Sequence, residues 1–289
     1  MDGALARYSN KLNKDMRYLP NAAAVRQMDT TALRKQFLVT DLWRTGSVVT
    51  ELLDIDRVVL GGAMPTVGPL TLDAPEQLRA AFFCERREIG VLNIGGDGTV
   101  AADGTEFNLR AHDALYVGRG TRDVRFTSDN PLKPARFYFV SYPAHSEFPT
   151  ARITPSDADV LELGTAENAN RRQVRRYIHL QGVRSAQLVM GTTVLESGSV
   201  WNTMPAHTHD RRSEVYLYFD LPSDALVLHM VGEPQETRTL VARDGDVALS
   251  PGWSVHAGCG TRAYAFCWAM GGENQDYTDM TPVTMEALR

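Results

Sequence analysis

Cysteine is scarce in this sequence. Cys84, Cys259 and Cys267 are odd in number and show no CxxC spacing, so neither a disulfide framework nor a thiolate zinc site is indicated, and the thiols read as buried and reduced. Long apolar runs are missing as well: no stretch approaches the ~20 residues that a helix needs to span a bilayer. The opening segment, MDGALARYSNKLNKDMRYLP, mixes charged and polar groups and lacks the uninterrupted apolar centre of a signal peptide, so the chain reads as cytoplasmic. Positive charge is not in excess. With 30 Lys plus Arg against 35 Asp plus Glu the net charge is −5, whereas proteins that grip a phosphate backbone carry basic patches. Neither a nucleic acid nor a membrane is implied as a partner. Disorder is excluded too, because 43% hydrophobic and 22% charged residues lie near globular averages.

What is present is β-texture. A chain of 289 residues is long enough for two domains of about 150 residues or one large β-rich unit. Residues 22 to 37, AAAVRQMDTTALRKQF, carry a helical pattern, with Thr30 or Thr31 placed to cap a turn before Ala32 and Leu33. Beyond Leu38 the chain turns to short apolar or alternating runs such as IGVLNI, DALYVG and RFYFVSY, broken by GG, GDG, DG and NP turn signals. After a polar stretch at residues 154 to 175 the texture resumes in EVYLYFD, ALVLHMV and AYAFCWAM. These features predict an all-β protein with a short N-terminal helical segment. We place an arm at 1–40, a first β-unit at 41–152 and a second at 153–289. The two units compare directly: CERREIGVLNI from Cys84 aligns with HDRRSEVYLYF from His209, and DALYVGRG from Asp113 with DVALSPGW from Asp246.

One constellation carries chemistry. In HTHDRRSE, His207 and His209 stand two apart, so in an extended segment both imidazoles face one point; a bend at DRRS returns Glu214 to that face. His256 follows in RDGDVALSPGWSVH, after a turn, a strand and a second turn, where a neighbouring antiparallel strand would set it opposite the first pair. Three neutral nitrogens and one carboxylate suit a divalent ion. At the aligned positions the first unit has Phe82, Cys84, Ile89 and Asp123, too poor in donors to hold one, so it is expected to be metal-free.

HxHx4E followed by G-x5-P-x4-H, with Gly245, Pro251 and His256, resembles the two signature motifs of the cupin superfamily. One departure is Trp253, where a glycine is usual; Gly252 stands one position early. Longer strings are more specific. WNTMPAHTHDRRSEVYLYFDLP from Trp201, GEPQETR from Gly232, SPGWSVHAGCGT from Ser250, GENQ from Gly272, and ERREIGVLNIGG, HDALYVGRG and PAHSEFPT in the first unit are similar to the 5-keto-4-deoxyuronate isomerases, also called 4-deoxy-L-threo-5-hexosulose-uronate ketol-isomerases. The resemblance runs from about residue 16 to the C-terminus, with Val200 and Ser213 as small departures.

That resemblance implies two cupin-type β-barrels in tandem, one Zn2+ in the C-terminal barrel, and a hexamer. It also implies interconversion of 5-dehydro-4-deoxy-D-glucuronate and 3-deoxy-D-glycero-2,5-hexodiulosonate, as in the breakdown of pectin and other uronates. Such a ketol isomerisation passes through a cis-enediolate, whose charge a redox-silent cation stabilises. His207, His209, Glu214 and His256 are the expected metal ligands. For the proton-moving base the candidates are Glu236, Glu273, Tyr216 and Tyr218; His229 reads as a core histidine. A guanidinium clamp for the substrate carboxylate is expected from Arg238, with Arg171, Arg172, Arg211 and Arg212 available. Trp201 and Trp253 flank the ligand segments. The same donor set also suits iron(II) in a dioxygenase, and a non-catalytic sugar-binding cupin is the remaining alternative. A regulatory role with an added helix-turn-helix is excluded, since no basic helical segment is long enough for one.

Overall fold

Alternation along the central strands decides the architecture. Arg87–Asn93 and Arg212–Phe219 are buried along their whole length. In the first, Ile89 and Val91 enter one hydrophobic core while Leu92 enters another. In the second, Val215, Leu217 and Phe219 join the core of Leu92, and Tyr216 and Tyr218 enter a third. A strand covered on both faces loses its polar face, which is why these segments read as nearly continuous apolar runs.

A computed structural model describes residues 16–289 of the chain. It is built of antiparallel sheets with short helices near the start. In the first half Ala151–Ile153, Ala114–Val117, Arg87–Asn93, Phe137–Pro143, Val59–Met64 and Ser47–Leu52 lie side by side in a six-stranded sheet. In the second half Val247–Ser250, Arg212–Phe219, Ala265–Gly272, Val189–Leu195 and Arg172–Ile178 follow one another in the corresponding order, within a seven-stranded sheet. Each half adds a four-stranded sheet, again with matching order. The registers match as well: Ile89 lies opposite Val117 and Ser141, and Glu214 opposite Ser250 and Met270. A core shared by the two larger sheets joins the halves, and each larger sheet packs its other face on a core of its own half.

The helical segment differs from the sequence reading. Two helices replace one, Ala22–Val25 and Thr30–Phe37. The cap of the second is Asp29, not Thr30 or Thr31: its carboxylate accepts the N–H of Ala32 at 2.7 Å. A short carboxylate satisfies a free N–H from extended backbone, so the helix restarts there and does not run through. Leu33 and Phe37 pack with Val231 and Leu240 of the second half. Leu38–Val39 then pairs with Val247 and Ala248 at the sheet edge, next to the strand that leads to His256. Among the described residues no helix is long and apolar enough to cross a membrane.

Candidate metal centre

Three backbone devices bring the candidate ligands together. His207–Thr208 is a short strand paired with Thr281–Pro282. His209 follows, its N–H bonded to the Gly252 carbonyl at 3.2 Å, and the chain turns at Asp210 and Arg211 before Glu214 enters its strand facing the same core as Tyr216 and Tyr218. His256 arrives after the Pro251–Ser254 turn, closed by the Ser254 N–H on the Pro251 carbonyl at 2.9 Å. Gly252 resolves the departure at Trp253. A Cβ at position 252 would lie 2.4 Å from the His209 carbonyl oxygen, so the glycine is needed one residue earlier, where the ligand loop crosses. Trp253 turns away and meets Phe37 edge-on at 6.3 Å.

The four donor atoms converge. Nε2 of His207 lies 3.2 Å from Nε2 of His209 and 3.0 Å from Nε2 of His256. The Glu214 Oε2 is 3.1 Å from Nε2 of both His209 and His256. All four ligand atoms fall within 4.8 Å of one another, the one such group of three or more among the described residues. Their tautomers are set from behind. Nδ1 of His209 donates to the Asp279 carbonyl at 2.7 Å, and Nδ1 of His256 faces the Ser254 carbonyl at 3.4 Å and Ser250 Oγ at 3.3 Å. Their Nε2 atoms are thus lone pairs aimed at one point. Opposed lone pairs at such distances repel unless a cation lies between them, and separations of 3.0–3.2 Å fit donors about 2.0–2.2 Å from a common ion. The residues present therefore fit a divalent metal.

Electrostatics agree. Burial alone would raise the Glu214 carboxyl, but His256, His209 and His207 outweigh it and hold it at about 2. Burial pushes His207 down to about 4 and His256 well below the ordinary imidazole value, leaving both neutral, as ligands must be. His209 is buried as well, yet Glu214 raises it.

The other sequence candidates scatter. Arg238 does not reach the centre: Nη1 and Nη2 donate to the carbonyls of Val25 and Met28 at 3.2 and 2.7 Å, where the first helix ends. Glu236 is exposed at a hairpin end. Glu273 is exposed and paired with Arg211. Arg171 is spent on Glu196 at 3.3 Å, also at the surface. Tyr216 and Tyr218 do line the site. Tyr216 stands 5.5 Å from the His256 ring, its hydroxyl facing Thr203 and Glu214. The Tyr218 hydroxyl and Nδ1 of the buried His229 share a hydrogen bond at 2.6 Å. Arg212 is buried behind His209 and bonds the Asp279 carbonyl at 2.8 Å. Arg172, half-buried, feels the hydroxyls of Tyr277, Tyr216 and Tyr264.

Sequence reasoning missed Asp279, whose carbonyl orients His209, and Asp56, whose carboxylate accepts the Ser213 N–H at 2.8 Å beside the ligand strand. A backbone carbonyl carries no residue signature, and Asp56 acts from the other half of the chain. Neither had a local signal to find.

Three histidines and one carboxylate that could hold a divalent ion, set in a fold of antiparallel sheets, define a cupin-like protein. The chain belongs to the KduI/IolB family, whose model matches residues 41–285. It is 48% identical over 275 residues to a 4-deoxy-L-threo-5-hexosulose-uronate ketol-isomerase of Caldicellulosiruptor bescii, covering 95% of this chain and 100% of that protein. A second relative so named, from Rhizobium meliloti, is 48% identical over 97% of this chain and 99% of its own. Dickeya dadantii has another, 45% identical over 91% of this chain and 96% of its own. Among solved structures, an IolB-like protein from Salmonella typhimurium LT2 superposes with a TM-score of 0.69 at 16% identity, covering 86% of this chain and 96% of that one. An oxalate decarboxylase from Lactobacillus farciminis gives 0.55 at 11% identity over 86% of this chain and 88% of its own, and the likeness is one of fold.

Proposed function

We propose that the chain is a ketol-isomerase that interconverts 5-dehydro-4-deoxy-D-glucuronate and 3-deoxy-D-glycero-2,5-hexodiulosonate, with one Zn2+ held by His207, His209, Glu214 and His256. The observation that carries this reading is the convergence of those four donors in a chain that shares nearly half its residues with relatives of that name. When bound, the divalent ion supplies positive charge beside the oxygen on which negative charge gathers as the carbonyl moves. The rest falls to side chains. Burial raises Tyr218, so it keeps its proton, and lowers His229 to about 3, so it stays neutral and accepts the Tyr218 hydrogen bond at Nδ1. Nε2 of His229 has no hydrogen-bond partner. We assign this pair a proton relay: as the Tyr218 oxygen takes the proton from the substrate carbon its hydroxyl proton passes to Nδ1 of His229, and both transfers reverse to deliver a proton to the neighbouring carbon. Tyr216 orients the Glu214 carboxylate. Arg172, partly desolvated among tyrosine hydroxyls, is assigned to the substrate carboxylate, a fork that Arg238 cannot supply because it is bound to a helix end.

The repeated strand order supports reading the halves as tandem cupin-type barrels, the first at 41–152 and the second at 153–289 with the arm at 1–40 before them. A hexameric, cytoplasmic enzyme is the form we expect. The test is purified protein assayed with 5-dehydro-4-deoxyglucuronate before and after chelation, with zinc then restored. Activity should disappear with the metal and return with zinc. Substrate-dependent oxygen uptake by an iron-loaded sample, without isomerised product, would replace this reading with a dioxygenase.

A further inference from the structure

A second cavity lies away from the metal centre. Its volume is about 540 Å³, and it opens in the first half, where Arg87 begins its strand as Arg212 begins the ligand strand in the second. Four arginines line it, Arg57, Arg86, Arg87 and Arg119, together with His145 and, among the described residues, no carboxylate. The remaining wall is mostly apolar and includes Leu53, Val58, Leu78 and Phe83.

Among the described residues none of these guanidinium groups is paired with an acid. Arg87 is 7% exposed, and its acceptors are neutral: Ser141 Oγ at 3.0 Å and the carbonyls of Ser141 and Arg57 at 2.7 and 2.6 Å. Arg86 donates to the carbonyls of Leu78 and Arg79, and Arg119 to that of Ala144. The acids adjacent in sequence are engaged elsewhere: Glu85 accepts the Ala81 N–H, Glu88 the N–H groups of Ala186, Gln187 and Leu188, and Asp56 the Ser213 N–H. Burial pushes Arg87 down to about 10, the sign of a cation short of a counter-charge. A buried charge without a partner is costly, and here Arg87 is buried while Arg119 is half-buried and Arg57 and Arg86 are exposed, so the positive charge is deepest at Arg87 and continues to the rim. An anion would offset that cost. The apolar wall restricts which anion: it offers few partners for a polyol but covers a hydrocarbon body well.

We propose that this cavity binds a small organic carboxylate with an apolar body, its carboxylate held by Arg87, Arg86 and Arg119 and its hydrocarbon part against Leu78 and Phe83. The site is separate from the metal centre and does not depend on the reaction assigned there.

The experiment is calorimetric titration of the metal-loaded protein with hexanoate, with hexanamide, glucuronate and inorganic phosphate as comparisons. Hexanoate is expected to bind once per chain, and the other three at least about tenfold more weakly. Arg86→Gln and Arg119→Gln, both at the rim, should each weaken hexanoate about tenfold while leaving zinc content and thermal midpoint unchanged. Failure of hexanoate to bind, including because a second copy of the chain fills the cavity, overturns the proposal. So does equal binding to the Arg86→Gln, Arg119→Gln double variant. Phosphate or glucuronate binding as tightly as hexanoate would overturn the apolar-body part and leave a general anion site.

Discussion

A histidine Nε2 that is a bare lone pair is made so by what its Nδ1 touches. At His209 that is the Asp279 carbonyl, and at His256 the Ser254 carbonyl. The ligand set therefore depends on backbone placement as much as on residue type. Gly252→Ala tests this: with a Cβ 2.4 Å from the His209 carbonyl, the ligand loop must shift. Zinc bound per chain should fall and zinc affinity drop at least tenfold, roughly the scale seen when an orienting partner is lost, read by metal analysis after dialysis. Tyr218→Phe should behave oppositely. Its oxygen is no ligand, so zinc should stay bound while kcat falls about 100-fold, the usual contribution of a positioned proton carrier. A kcat unchanged in Tyr218→Phe would remove the pair from the mechanism, and zinc lost with it would mean Tyr218 is structural. The four converging donors were legible in the sequence because three stand close together in HTHDRRSE, His256 follows a strand and a turn, and all are chemically distinct. Arg238, Glu236 and Glu273 are a different case. Their residue types suit the chemistry, but their positions are fixed by a helix end, a hairpin tip and Arg211, none of which leaves a periodic trace.

At the scale of elements, the repeat extends to the turns. The Arg110 N–H bonds the Asp113 carboxylate at 3.0 Å, and the Arg243 N–H bonds that of Asp246 at 2.8 Å, each just before a matching strand. Asp113 has Arg152 at 2.6 Å; among the described residues no such ion pair holds Asp246, and burial raises it to about 6. The sign of the consequence is fixed. Between the unfolded value near 3.8 and about 6 the folded chain holds a proton that the unfolded chain has lost, so this carboxyl costs stability as pH rises through that window, fully above it. Asp246→Asn should therefore be more favourable, relative to wild type, at pH 7 than at pH 4. Thermal midpoints of both proteins across that range measure it, and a constant difference would refute it. The strands and the duplication were readable because alternation and turn residues are local signals. The split helix was not, because Asp29 competes for a single N–H within an otherwise helical pattern. Nor was the crossing of Leu38–Val39 onto the second-half sheet, which depends on edge pairing far along the chain.

Across the whole molecule one residue from the first half holds the second. Glu88 is fully buried on the face of its strand that meets the shared core, and its carboxylate accepts four hydrogen bonds. Three come from backbone N–H groups of Ala186, Gln187 and Leu188 at 2.7, 2.7 and 2.8 Å, and the fourth from the Tyr116 hydroxyl at 2.7 Å. An anion satisfying three buried backbone donors cannot be replaced by its amide without setting an NH2 against an N–H. Glu88→Gln should thus cost about 3 kcal/mol, combining an unsatisfied buried donor with a lost charge-assisted network. Because the contact joins halves that also share a core, the loss should lower one common transition and not free one half to melt first. Calorimetry decides this: a single endotherm at reduced temperature is expected, and two separated endotherms in the variant would mean that the halves are stable independently. The candidate metal centre lies in the other half from Glu88, so metal binding to the folded variant should be unchanged, which separates a structural tie from a role at the centre.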